Sequence, residues 1–161
     1  MSNTDDRPFD TSALCASLVQ VWHEQIPLSV AMGVELQSFE DNVLVVAAEL
    51  EPNINLHGTG FAGSLYAINA LCGWSMVHLQ LQLRGIDASI VLADGRIKYS
   101  RPVTGRIVAR CDFGQQLKAL DTLESKGKAR FTLGSTIAEN DDSDSRSAAS
   151  FEGDFAVLGK R

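Results

Sequence analysis

The stretch Asn53-Ile-Asn-Leu-His-Gly-Thr-Gly-Phe-Ala-Gly-Ser64 overlaps the start of the longest apolar segment of the chain, Phe61–Leu83. This segment is apolar on nearly every side, so it predicts a helix that other elements enclose. Its serine, asparagine, histidine and glutamine residues make it too polar for a membrane span. Gly73 lies mid-helix, where glycine costs about 1 kcal/mol against alanine, which indicates close backbone packing at that position.

Shorter patterned segments flank this helix on both sides. Upstream, the periodicity predicts a helix over Thr11–Gln25 capped by Thr11 or Ser12, a turn region over 26–33, and a hairpin of strands Val34–Phe39 and Val43–Leu50. Downstream, it predicts a short helix over Gln115–Ser125 and strands over Ala88–Val103, Gly105–Phe113, Gly127–Ala138 and Phe151–Leu158. The order predicts an α+β fold, a single domain over 1–161 in which an antiparallel sheet wraps around the long helix.

Two segments lack an apolar pattern. Residues 1–10 are polar and acidic, which predicts a flexible N-terminus and not a signal peptide. Residues 139–149 are acidic and rich in serine, which predicts a flexible connection before the last strand.

The composition is that of a globular protein and excludes some classes of function. Hydrophobic residues make up 45% and charged residues 21% of the 161 residues, so wholesale disorder is not expected. The net charge of −6 argues against general binding to nucleic acid, which needs a basic surface. Three widely spaced cysteines, Cys15, Cys72 and Cys111, predict neither a disulfide framework nor a metal site, and favour a cytoplasmic protein with reduced thiols.

The glycine-rich stretch before the long helix is the strongest candidate for chemistry. Gly58, Gly60 and Gly63 let the backbone approach a ligand closely. The first amides of a helix have no internal partners and carry partial positive charge, which suits an anion or an oxyanion forming on a carbonyl. An ordinary glycine-rich turn with Ser64 near the helix cap explains the same residues without any ligand.

Two motifs carry a resemblance to a known family. Asn55, Gly58-Thr59, Phe61 and Gly63 resemble the Asn-x-x-Gly-Thr-x-Phe-Gly-Gly signature of hotdog-fold acyl-CoA thioesterases. The run Ile97-Lys-Tyr-Ser-Arg-Pro-Val103 with Gly105 resembles a strand of the same fold. The fuller string Gly-Thr-x-Phe-x-Gly-Ser-Leu-Tyr, with Gly73-Trp74 and Gly127-Lys-Ala-Arg130, is similar to the YiiD C-terminal-type thioesterases.

The resemblance implies a sheet wrapped around the long helix and a homodimer, or a dimer of dimers, with active sites between subunits. Asn55 would hold the substrate carbonyl or a water, and the amides of Gly63 and Ser64 would polarise the thioester carbonyl. The expected substrate-binding residues are Gly58, Thr59, Phe61 and Asn69. A coenzyme A thioester would be the substrate, with no further cofactor.

One departure from the family pattern concerns the general base. Many hotdog thioesterases carry a carboxylate about two turns into the helix, but here that place falls near Ala70 and the segment Phe61–Leu83 holds no carboxylate. Asp94 is the best replacement, since the family aims this strand at the partner's pocket. Alternatively, Asp94 lies at a turn or bulge in water. Ser64 is not expected to be a nucleophile, because only His57 is near it in sequence.

Five basic residues follow in an otherwise acidic chain: Arg96, Lys98, Arg101, Arg106 and Arg110. They predict either contacts with the phosphates of a carrier or a solvated strand face, and Arg101 is the favoured phosphate contact. The sequence therefore predicts an acyl-CoA or acyl-carrier-protein thioesterase. A non-catalytic module that binds acyl thioesters or lipids is the alternative, which the missing helix carboxylate favours.

Overall fold

The computed structural model describes residues 10–140 and 146–160. The chain begins with helices α1 (Thr11–Gln25) and α2 (Pro27–Met32). Asp10 caps α1, because its carboxylate accepts the amides of Ser12 and Ala13 at 3.1 and 3.4 Å; the predicted cap at Thr11 or Ser12 is therefore wrong by one or two residues. The predicted turn region over 26–33 is largely the short helix α2, which proline starts and Gly33 ends in the left-handed conformation (φ 66°).

Six strands among the described residues form one sheet. In chain order they are β1 (Glu35–Glu40), β2 (Val43–Ala48), β3 (Ala88–Tyr99), β4 (Ile107–Asp112), β5 (Lys128–Glu139) and β6 (Ala149–Gly159). Their order across the sheet is β1-β2-β4-β5-β6-β3, and every neighbouring pair is antiparallel. The predicted hairpin of β1 and β2 is confirmed, with Asp41 and Asn42 both at positive φ in its turn.

The long helix α3 (Ala62–Leu83) lies inside the curve of this sheet and contacts strands β2 to β6. The predicted architecture of a sheet wrapped around one enclosed helix is confirmed. On its other side α3 meets α1, where the buried Trp22 donates its indole N–H to Ser75 Oγ at 2.9 Å. None of the helices among the described residues is long and apolar enough to cross a membrane.

Gly73 is the point of closest approach that the sequence predicts. A Cβ atom placed on Gly73 would lie 2.6 Å from Cζ of the fully buried Phe155 in β6. Only a glycine lets the helix backbone come this near the sheet, so this prediction is confirmed.

The last connection is shorter than the sequence predicts. Strand β5 extends to Glu139 and β6 begins at Ala149, and Ala148 is buried with its amide bonded to the carbonyl of Ile137 at 2.7 Å. The acidic centre of the connection, residues 141–145, lies outside the described residues, as do residues 1–9 of the predicted flexible N-terminus. A fourth helix, α4 (Leu117–Lys126), precedes β5.

Strand β3 is an outer strand and pairs only with β6 among the described strands. The register shifts between Leu92 and Asp94, which marks a bulge. Beyond it Gly95 faces α3, since a Cβ there would meet the rings of Tyr66 and Phe151. Asp94 therefore projects from the opposite, outer face of the sheet.

Candidate active site

The start of α3 is preceded by a tight loop, residues 53–61, which we call the entrance loop. Ile54 and Gly60 pair across it as an isolated antiparallel bridge. Asn55 organises its interior: Oδ1 accepts the amides of His57 and Thr59 at 2.9 and 3.1 Å, and Nδ2 donates to Thr59 Oγ1 at 2.9 Å. The Asn55 side-chain amide and the Thr59 hydroxyl, both predicted to contact substrate, are thus hydrogen-bonded to each other inside the loop.

Asn53 anchors the entrance loop to the rest of the fold, a role that the sequence did not predict. Its buried Nδ2 donates to the carbonyls of Met32 and Glu49, both at 2.9 Å, and its own carbonyl accepts the amide of Phe61 at 2.7 Å. The backbone amide of Gly60 donates a hydrogen bond to the carbonyl of Val103 at 2.8 Å. The sequence signal was present as an asparagine pair, but its burial became visible only in the folded chain.

The first turn of α3 presents free backbone amides. No side chain caps the helix, and Leu65 is the first residue of α3 whose amide bonds back, to the carbonyl of Phe61 at 3.0 Å. The amides of Ala62, Gly63 and Ser64 have no hydrogen-bond partner in the described part of the chain. They lie at the positive end of a long helix, so they suit an oxyanion.

One aromatic side chain lies close over position 63. A Cβ atom there would lie 2.5 Å from Cε1 of Phe61, whose half-exposed ring covers the Gly63 backbone. Gly63 itself is exposed, so its amide lies at the surface beside an aromatic ring.

Two tyrosines lie between the start of α3 and strand β3. Tyr99 donates its hydroxyl to the carbonyl of Ala62 at 2.7 Å, which ties the end of β3 to the first residue of α3. Burial, with a smaller contribution from Tyr66, raises the pKa of Tyr99, so its hydroxyl remains a donor at neutral pH. Tyr66 packs edge-on against Phe151, with ring centroids 5.2 Å apart, and its hydroxyl lies against Gly95.

An apolar cavity of about 380 Å³ continues from this point along α3. It lies between α3, the residues around α2, and Leu92 of β3. Gly63, Ala67 and Ala70 are spaced i, i+4 and i+7, so the free amide and the cavity share one face of the helix. Ala70, at the place of the family's carboxylate, contributes only a methyl group to this lining.

Asn69, predicted to bind substrate, is not brought together with the entrance loop by the fold of a single chain. Its side chain is fully buried, with Oδ1 accepting the Ser135 hydroxyl at 2.7 Å and Nδ2 donating to the carbonyl of Leu65 at 3.1 Å. Asn69 therefore satisfies polar groups between α3 and β5, on the face of the helix opposite the cavity side chains.

Asp94 is exposed on the outer face of β3, in register with Asp154. A single chain does not bring it to its own helix start, since the two lie on opposite faces of the strand. Its position beside a bulge agrees with the alternative interpretation, in which the carboxylate meets water.

The predicted basic cluster is divided by the fold. Arg106 pairs with Glu35 and Glu49 at 3.4 and 3.6 Å, so its guanidinium is engaged by two carboxylates. Arg101 is exposed just beyond β3 and donates to the carbonyl of Arg146. Because Tyr99 reaches Ala62, Arg101 lies at the end of the sheet that carries the free amides.

Comparison with known proteins agrees with this architecture. The profile of the family described as "Putative thioesterase (yiiD_Cterm)" matches residues 15–159. The "putative thioesterase from Shewanella oneidensis" is 39% identical in sequence, and the alignment covers 91% of this chain and 99% of that chain with a TM-score of 0.84. A protein of unknown function from Chlorobaculum tepidum is 34% identical, with 92% and 96% covered and a TM-score of 0.86. A thioesterase from Haemophilus influenzae, 14% identical with 90% of each chain covered and a TM-score of 0.69, shares the fold.

Proposed function

Because the chain belongs to the yiiD C-terminal thioesterase family, we propose that it hydrolyses acyl thioesters of coenzyme A. One observation carries the proposal: Gly63, whose amide has no partner among the described residues, lies on the same face of α3 as residues that line an apolar cavity of about 380 Å³. The first feature suits a thioester carbonyl and the second an alkyl chain, which are the two parts of an acyl thioester.

In the proposed reaction, the carbonyl oxygen binds at the amides of Gly63 and Ser64. Water adds to the carbonyl carbon, and the negative charge that develops on the oxygen is stabilised by these amides and by the helix dipole. Collapse of the intermediate breaks the carbon–sulfur bond, the departing thiolate takes up the proton that the attacking water gave up, and the thiol and the carboxylic acid are released. Asn55 acts as a positioning residue, since it holds the entrance loop that precedes these amides.

The acid or base of this reaction is proposed to come from Asp94 of a second copy. Strand β3 has a free edge of 12 residues, and such edges are paired or protected in stable proteins. The start of α3 also exposes large apolar side chains, with Leu56 at 90% exposure beside Ile54 and Phe61. Both features favour a homodimer, which the proposed role of Asp94 requires because this carboxylate does not reach the helix start of its own chain.

We expect Asp94→Asn to lower kcat by about 10²-fold with little change in melting temperature, because the side chain is exposed and acts on water. Steady-state kinetics and sedimentation of the same preparation measure both properties. Co-expression with an Asn55→Ala chain should restore part of the activity, since a mixed dimer keeps one intact site. A stable monomer at micromolar concentration, or full activity of Asp94→Asn, would contradict the assignment.

Arg101 is the proposed contact for a carrier phosphate. Its guanidinium is exposed just beyond the end of β3 that Tyr99 ties to the start of α3, and it lies in a locally basic stretch of an acidic chain. A guanidinium binds phosphate with two parallel hydrogen bonds, which suits the phosphates of coenzyme A.

The free cysteines Cys15, Cys72 and Cys111 support a reducing, cytoplasmic location.

A panel of saturated acyl-CoA substrates, assayed for thiol release, tests the proposed function. We expect thiol release to be faster with longer acyl chains than with acetyl-CoA, because the cavity lining is apolar. Heat denaturation of the protein should abolish this release. Binding of acyl-CoA without hydrolysis of any member would favour instead a module that only binds acyl groups, which the alanine at position 70 supports. Absence of both binding and hydrolysis would contradict both functions.

A further inference from the structure

We propose that Trp74 and Ile26, which both line two adjacent cavities, form the end wall of the acyl cavity and set the longest acyl chain that the enzyme accepts. The proposal rests on the proposed function, since it assigns the cavity to the acyl part of the thioester. It adds a specificity-determining residue outside the entrance loop and outside the reacting groups.

Trp74 spans the gap between α3 and β3. Its indole N–H donates to the carbonyl of Ile90 at 3.1 Å, which fixes the ring against the outer strand. One face of the ring stacks on His78, with the two ring centroids 5.1 Å apart and the ring planes inclined by 17°. A ring held on two sides cannot swing aside without losing both contacts, so it is suited to be a fixed wall.

Two cavities meet at this wall. Trp74 and Ile26 line the apolar cavity of about 380 Å³ and also a second cavity of about 360 Å³ further along α3. The first is lined almost entirely by carbon atoms. The second contains His78 and the ion pair of Lys160 and Asp87, whose charged atoms are 3.0 Å apart.

The change in polarity at Trp74 explains why the wall matters. Burial of the terminal methyl group of an acyl chain in the first cavity lowers the free energy of binding. In the second cavity the same group would displace water from charged side chains, which costs free energy. The second cavity also has aliphatic lining from Val21, Leu81 and Ile86, so a longer chain has apolar contacts there once the ring is removed.

The helix itself gives a ruler for chain length. At about 1.5 Å per residue, the Gly63 amide and Trp74 are about 16 Å apart along the axis. An extended alkyl chain advances about 1.25 Å per carbon, from its bond length and angle. The wall therefore corresponds to an acyl chain of about 12 carbons.

The test is the kcat/KM profile over even-numbered saturated acyl-CoA substrates. In the unmodified protein we expect kcat/KM to fall by about tenfold or more beyond about 12 carbons, because the Trp74 ring blocks further methylene groups from the second cavity. Trp74→Ala should move this limit outward by about four carbons, since His78 lies one helical turn further on. Ile26→Ala, on the other side of the wall, should move it in the same direction.

Trp74→Phe is the matched control. It removes the hydrogen bond to Ile90 but keeps an aromatic ring, so the limit should stay within about two carbons of the original. A length profile that is the same in Trp74→Ala and Ile26→Ala as in the unmodified protein would overturn the proposal. A uniform loss over all chain lengths would overturn it as well, because a wall affects only chains that reach it.

A binding measurement separates this proposal from the proposed function. The chain has two tryptophans, so Trp22→Phe leaves Trp74 as the sole reporter of indole fluorescence. Titration with saturated fatty acids should shift its emission only for chains long enough to reach the wall. This result in a protein that hydrolyses no thioester would refute the enzyme and leave the wall standing. Emission that is unchanged by every fatty acid, or changed equally by short and long ones, would refute the wall.

Discussion

Replacing Gly73 with leucine is expected to lower the free energy of unfolding by about 3 kcal/mol, the upper part of the usual range for an overpacked core. A Cβ at this position would lie 2.6 and 2.8 Å from two ring atoms of Phe155. That ring has no free space behind it, because it already lies over a second glycine, Gly153 of β6, where a Cβ would be 2.7 Å from the same ring. The leucine must therefore push α3 away from the sheet.

Chemical denaturation of Gly73→Leu measures this loss, with Gly73→Ala and Phe155→Leu as the members of a double-mutant cycle. Gly73→Ala should also destabilise, although alanine favours a helix by about 1 kcal/mol over glycine. The double substitution should recover part of the loss, since the smaller leucine side chain in place of Phe155 leaves space for the methyl group. An unchanged or raised midpoint for Gly73→Leu would place the residue on an open face and contradict the packing argument.

The second large effect is expected at Asn55, where alanine should lower kcat by about 10²-fold with a smaller change in KM. The amide side chain makes hydrogen bonds to the backbone of His57 and to Thr59, so its removal frees the entrance loop. That loop sets the position of the amides of Gly63 and Ser64, and a displacement of about 1 Å at reacting groups costs a comparable factor. Kinetics with the best substrate of the panel measure the effect.

Asn55→Asp distinguishes two roles for this residue. Aspartate keeps the oxygen that accepts the amides of His57 and Thr59, so a residue that only organises the loop should retain most of the activity. Direct contact between the asparagine N–H and the substrate would instead make Asn55→Asp as slow as Asn55→Ala. That second result would contradict the positioning role and restore the direct contact implied by the family resemblance.

The elements of this fold are largely determined by local sequence. The α1 helix has the predicted bounds, and α3 begins one residue after the predicted start, because periodicity and flanking prolines and glycines act over a few residues. The glycine-rich entrance before α3, the closeness at Gly73 and the resemblance to hotdog thioesterases were all readable in the same way. The helix α2 was missed, since six residues between a proline and a glycine give too short a period to detect.

Which side chains of α3 line the site depends on long-range packing, which no local sequence pattern contains. An almost wholly apolar helix has no polar face to show which side meets the sheet, so Asn69 and Ala70 could not be assigned to their opposite surroundings. In the folded chain Asn69 bonds to Ser135 of β5, while Ala70 lines the cavity with Trp74. Adjacent residues on α3 thus have different roles because of the strands packed on either side.

The side of the sheet that Asp94 occupies was likewise decided by tertiary structure. A strand places alternate residues on opposite faces, and one bulge reverses that assignment for every residue beyond it. The shift between Leu92 and Asp94 is fixed by pairing with β6, some 60 residues away in sequence. Sequence by itself therefore determined which segments form the helix, the strands and the amide-rich entrance, whereas long-range pairing decided which side chains share a surface with it.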